Sequence, residues 1–192
     1  MRQQGFWPLA RLTIKRTTRS ITSDSQREAR EEILKYFLAS LGTDPKPPDP
    51  ISNGCYAHVF PHPTDPDKVI KVCNNSPKYL RYIIWCMRHP ENPYVPRVHQ
   101  IEVIRNTTDK MYGNLALLCV VVMERLMPEG SSHAVRYFME LGRVDPVEPL
   151  PPALDALKAL RQRAKRIGYL DIHCANVMFR GSQPVVTDPI AG

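Results

Sequence analysis

Apolar residues recur at helical spacing in several stretches of this chain. Between Ser23 and Gly42 they fall at Ala29, Ile33, Leu34, Phe37, Leu38 and Leu41, one face of a 3.6-residue repeat. Ser25 with Glu28 three residues on forms a capping box, and Gly42 stops the run. Pro77 to Arg88 opens on a proline, which suits the first turn of a helix. A further helix is expected from Ser132 to Leu141. Ala153 to Ile167 puts Leu154, Leu157, Leu160, Ala164 and Ile167 on one stripe. Its other face carries Lys158, Arg161, Arg163, Lys165 and Arg166, which reads as a solvated surface.

Other stretches carry the shorter pattern of strands. Tyr56 to Phe60 and Lys68 to Cys73 flank a proline-rich turn and predict a hairpin. Pro96 to Ile104 and Leu115 to Leu126 predict two more strands. The second is almost wholly apolar and is expected to be central in its sheet. A last pair follows Asn176, around a Gly181-Ser182 turn. Thr43 to Pro50, with four prolines in eight residues, and Pro146 to Pro152 read as stiff linkers. The expected organisation is a basic arm plus amphipathic helix over residues 1–45, a small sheet with one inserted helix over 46–127, and helices followed by a terminal hairpin over 128–192. No internal repeat is present.

Composition narrows the class. The chain has 192 residues, 43% hydrophobic and 23% charged, with a net charge of +7. It is long enough for one compact domain or two small lobes. No apolar run reaches the ~18 residues that span a bilayer; the longest is Leu115 to Met123. The positive charge favours acidic partners but is too dispersed to indicate direct nucleic-acid binding. The five cysteines include no C-x-x-C pair, and the odd count fits reduced thiols in a cytoplasm. Residues 1–23 are basic, hydroxyl-rich and free of acid, a composition shared with organellar transit peptides. The reading adopted is a basic arm, or an extra strand where Ala10 to Ile14 alternates.

The candidate chemistry lies near the end. Asp171 is followed five residues later by Asn176, then by an apolar triplet, the turn, a second apolar strand and Asp188. Phosphoryl transfer needs a carboxylate to take the acceptor hydroxyl's proton. It also needs an amide oxygen and a second carboxylate to hold the magnesium ions that bridge nucleotide phosphates. Asp171 is the candidate base, and Asn176 and Asp188 the metal ligands. His173 lies between them and either steadies the transferring phosphoryl group or is a structural histidine. Upstream, Lys71 alternates with apolar neighbours in Val69-Ile70-Lys71-Val72. A lysine on the inner face of a sheet is costly unless an anion such as a phosphate meets it. Just before it, Ser52-Asn-Gly54-Cys-Tyr-Ala57-His-Val59 occupies the place of a glycine-rich phosphate loop. Gly54 and Val59 match that pattern, with small Ser52 and Ala57 at the other two glycine positions.

At these residues the chain resembles the protein kinase-like superfamily. Over about residues 50 to 190 it is most similar to the early serine/threonine protein kinases of short-tailed bacteriophages of the T-seven type. The resemblance implies an α+β, bilobal kinase-like fold: a small antiparallel N-lobe sheet with one helix, and a strongly truncated helical C-lobe ending just after the metal-binding Asp188. It implies ATP and Mg²⁺ as cofactors. Host proteins of the transcription or RNA-processing machinery would be the substrates, in the bacterial cytoplasm. By position, Lys71 anchors the phosphates, Asp171 is the base, Asn176 and Asp188 hold magnesium, and Met123 to Leu126, including Glu124, is the hinge whose backbone would bond adenine.

The departures are specific. A kinase pairs its strand lysine with a Glu on the next helix, but Lys78 to Arg88 contains no acid, and Glu91 is the first that follows. Leu170 stands where an Arg normally precedes the catalytic Asp. With no later C-lobe helices in the chain, apolar surface is expected to be covered by the N-terminal helix, a second copy or a partner. Two classes of function follow: a protein kinase acting on host proteins, or a noncatalytic kinase-like scaffold that binds and inhibits one. A small-molecule phosphotransferase ranks behind both, because it needs a large helical acceptor domain.

Overall fold

The computed structural model describes residues 14–19, 26–53, 57–74, 77–106, 117–128, 152–172 and 176–190. It is a mixed α+β structure. In chain order the elements are β1 (Ile14–Arg19), α1 (Gln26–Ser40), β2 (Ser52–Asn53), β3 (Ala57–Pro61), β4 (Lys68–Asn74), α2 (Pro77–Arg88), β5 (Val98–Asn106), β6 (Leu117–Glu124), α3 (Pro152–Ile167), β7 (Val177–Arg180) and β8 (Gln183–Val186). The helix expected at Ser132–Leu141 lies outside the described residues.

Six strands form one sheet in the order β1-β5-β6-β4-β3-β2. The almost wholly apolar β6 is central, as its composition predicts. The sheet is not purely antiparallel, as expected, because β1 joins the free side of β5 in parallel, from Ile14↔Ile101 to Arg19↔Asn106. The extra strand expected in the basic arm at Ala10 to Ile14 is described from Ile14 to Arg19; Ala10 to Thr13 lie outside the described residues. Parallel pairing needs a crossover, and α1 lies in the connection that follows.

The sheet is covered on both faces. On one, Ala29, Ile33, Leu34, Phe37 and Leu38 of α1 pack against Phe60, Ile70, Val72, Ile104, Leu118, Val120 and Val122. These are alternate residues of four strands, the period-2 face that amphipathic α1 needs. Leu41, placed on the helical stripe by periodicity, lies past the helix end and is exposed. There Gly42 takes a left-handed φ of 71° and the Thr43 N–H donates to the Leu38 carbonyl, which ends the helix. On the opposite face, Val69, Cys73, Cys119, Val121 and Met123 meet Tyr79, Tyr82, Ile83 and Cys86 of α2, Leu157, Leu160, Ala164 and Ile167 of α3, and Val177, Val186 and Ile190 around the small β7-β8 sheet. Three cysteines (Cys73, Cys86 and Cys119) are buried free thiols. Among the described residues no helix is long and apolar enough to cross a membrane.

Polar groups are also buried under α1. Glu102, opposite Val120 by register, is fully buried and lies 3.6 Å from Lys15 Nζ of β1. His58 on β3 is buried on the same face. Its pKa is lowered, first by burial, then by Arg30 and Arg27 of α1, with Glu31 opposing. The unfolded chain therefore takes up this proton more readily than the folded one, so stability present above the ordinary imidazole pKa is lost as pH falls through it. His62 and His99 are lowered too, again first by burial. Urea melts from pH 7.5 to 5.5 are expected to show falling stability, with a shallower slope in His58→Gln. Superimposable slopes would assign the loss to other groups.

Candidate active site

The site forms where the two-stranded β7-β8 sheet meets the inner face of the large one. Lys71 is central on β4, opposite Val59 of β3 and Val121 of β6. Strand alternation puts it on the face of Val69 and Cys73, away from α1. Its side chain is 11% exposed, and Nζ lies 3.5 Å from Asp188 Oδ2, 117 residues further along the chain. Glu91, the first acid after α2, is exposed in the loop beyond that helix. Asp188 is the carboxylate partner of Lys71 instead. The Lys71 ammonium also sits over the Tyr79 ring, 4.2 Å from the centroid.

Backbone bonds tie the other candidates to Asp188. The Asp171 N–H donates to the Pro189 carbonyl at 2.8 Å, and Leu170 bridges Ile190. The Thr187 N–H donates to the Asn176 carbonyl at 2.8 Å, and Thr187 Oγ1 reaches the same oxygen at 3.2 Å. Asn176 Nδ2 donates to the Asp171 carbonyl at 2.8 Å. Asp171, Asn176 and Asp188 are thus held together, although up to 17 positions separate them in sequence (188 − 171). His173 lies outside the described residues.

Neighbouring elements fix this floor. Tyr82 of α2 donates its hydroxyl to the Val186 carbonyl at 2.6 Å, and the Val186 N–H donates to the Tyr94 carbonyl. The β7-β8 turn uses Gly181 at a left-handed φ of 60°. At the end of α3, a Cβ on Gly168 would come within 2.9 Å of Ile190 Cγ2 and 3.1 Å of Lys78 Cδ. Only glycine lets the chain pass so close to the segment that carries Asp188.

The remaining candidates lie along the same sheet. Ser52 of β2 is exposed and pairs with Val59, and Ala57 pairs with Cys73. The 52–57 segment therefore joins β2 to β3 beside the strand that carries Lys71; Gly54 lies outside the described residues. Glu124 ends β6 opposite Lys68, three residues and about 10 Å of strand from the position opposite Lys71. The Glu124, Arg125 and Met127 amides donate to the Arg97, Asp67 and Phe179 carbonyls. Leu126 is buried between them.

The side chain of Glu124 has a different task. Arg180 grips it in a two-pronged ion pair: Nε to Oε2 at 2.8 Å and Nη2 to Oε1. Arg180 also donates to the Pro93 and Val95 carbonyls, and the Arg97 N–H donates to Glu124 Oε1. Sequence reasoning missed Arg180, which reads as an ordinary charge before a turn.

The donor set suits a magnesium ion. Asn176 Nδ2 donates to the Asp171 carbonyl, so Oδ1 is the atom of that amide with the chemistry to meet a cation, and Asp188 is a carboxylate. Among the described residues no three His, Cys, Asp or Glu side chains cluster as a self-sufficient metal site. Two protein oxygens completed by phosphate and water are how magnesium is commonly held. No protein-family model matches the chain, and no curated protein matches it in sequence.

Proposed function

We propose that this chain is an ATP- and magnesium-dependent serine/threonine protein kinase acting on proteins of a bacterial host. On this reading it has a kinase-like bilobal plan, with the nucleotide held between the large sheet and the β7-β8 hairpin. The observation that carries the reading is the meeting of Lys71 with Asp188, from opposite parts of the chain, beside an Asn176 already bonded to the Asp171 backbone.

Each residue then has a task. Lys71 presents its ammonium to the α- and β-phosphates, while Ala57 and Val59 border the loop that covers them. The backbone of Glu124 and Leu126 receives adenine. Asn176 and Asp188 hold magnesium, which neutralises phosphate charge and aligns the transferring group. Asp171 accepts the proton of the attacking seryl or threonyl hydroxyl, and His173 steadies the phosphoryl group. Transcription and RNA-processing proteins of the host cytoplasm are the substrate class that the resemblance suggests. The competing scaffold reading draws on the 52–57 loop, which keeps one glycine of three.

Purified protein given labelled ATP, magnesium and bacterial extract is expected to label host proteins on Ser and Thr. The labelling is expected to disappear in Asp171→Ala and Asp188→Ala. Label that persists unchanged in both variants sinks the kinase reading. Full biological effect from the double variant points to the scaffold.

A further inference from the structure

A lysine that must present its ammonium to an anion has to be aimed, because its four-carbon stem is flexible and its charge strongly hydrated. The helix that faces Lys71 has no acid for this task, since Pro77–Arg88 contains neither Asp nor Glu. It offers Tyr79, in its first turn. The ring is buried, and its centroid lies 4.2 Å from Lys71 Nζ, well inside the ~6 Å over which a cation is drawn to an aromatic face. With the lysine side chain 11% exposed, little water competes for that attraction.

We propose that Tyr79 is a positioning residue: its ring face, in place of an acidic side chain, is what α2 uses to aim the Lys71 ammonium at the nucleotide phosphates. The role in nucleotide binding rests on the kinase reading above; the placement of the ring does not. An aromatic quadrupole orients a cation without adding net charge. α2 therefore fixes the lysine without adding a second carboxylate to the one that Asp188 already supplies 3.5 Å away.

The ring current of Tyr79 tests the placement in the wild-type protein. The ε-methylene protons of Lys71, assigned by their disappearance in Lys71→Met, are expected upfield of the other lysines. The shift is expected to remain in Tyr79→Phe and vanish in Tyr79→Leu. In calorimetry with MgATP, Tyr79→Leu is expected to bind about tenfold more weakly, and Tyr79→Phe to recover most of that loss. In turnover, the Leu variant is expected to raise KM for ATP more than it lowers kcat.

The failures are separable. Lys71 protons at ordinary shifts in the wild type overturn the proposal, whatever the nucleotide does. Equal MgATP affinity in wild type and Tyr79→Leu overturns the positioning role. Upfield protons in a wild type that binds no MgATP overturn the kinase reading, and with it the role, while the ring's placement stands.

Discussion

Arg180→Met is expected to lower the unfolding free energy by about 2–3 kcal/mol, read from urea or guanidinium melts. The expectation follows from what one guanidinium holds. It makes a two-pronged contact with Glu124 at the end of β6 and donates to the Pro93 and Val95 carbonyls after α2. Three segments far apart in sequence thus meet on one planar fork, a geometry that lysine cannot supply. The pair is mostly shielded, with the side chains 24% and 11% exposed, so solvent screens it less than a surface bridge. Truncation also leaves two carbonyls without these donors and the carboxylate with the Arg97 amide. Methionine keeps most of the apolar stem, so the loss reports the charge and its hydrogen bonds. Glu124→Gln is expected to cost less, and the double variant less than the sum of the two singles. A loss under about 0.5 kcal/mol would put the pair among surface bridges of little worth. Because Phe179, next to Arg180, exchanges backbone bonds with Met127, Arg180→Met is also expected to loosen the segment after β6 against the hairpin and, on the proposed kinase reading, to weaken ATP binding.

The contrast between Arg180 and α2 shows what the sequence made legible. α2 was readable from start to end, because a proline at the first turn and an apolar stripe are local signals. The β3-β4 hairpin, central β6 and the β7-β8 hairpin were readable for the same reason. The grouping of Asp171, Asn176 and Asp188 was legible because a short hairpin lies between them and fixes their spacing. Arg180 and Glu124 are 56 residues apart, and nothing local to either announces the other. Tyr79 was invisible for a related reason. In a sequence it is one more aromatic residue on an apolar stripe, and only the fold turns its face to Lys71. Glu102 misleads in the opposite way. An acid in an alternating strand suggests a solvent-facing side, but α1 covers that face, and the carboxylate is buried with Lys15 nearby. The strand in the basic arm was legible only as an alternative reading, and its parallel pairing with β5 not at all, because an edge strand of polar residues differs little in composition from a basic arm.

Lys71→Met is expected to cut phosphoryl transfer at least about a hundredfold while leaving the protein as stable as wild type, or more so. The Lys71–Asp188 separation of 3.5 Å is long for a charge-assisted bond, which settles near 2.7–2.9 Å when two groups are built for each other. The two ends are also unequally exposed, the lysine at 11% and the aspartate at 36%. Burying that ammonium carries a desolvation cost which a long, half-wet contact offsets poorly. Methionine has similar length and no charge, so it removes the cost and keeps the packing against the Tyr79 ring. Asp188→Asn runs the other way. It strips the carboxylate from a lysine that stays buried, so it is expected to lower stability as well as abolish transfer. Thermal melts of both variants, taken with label transfer, decide the point. A Lys71→Met protein that melts well below wild type, or that still transfers phosphate at the wild-type rate, makes the pair a structural bridge and removes the strongest support for a nucleotide site.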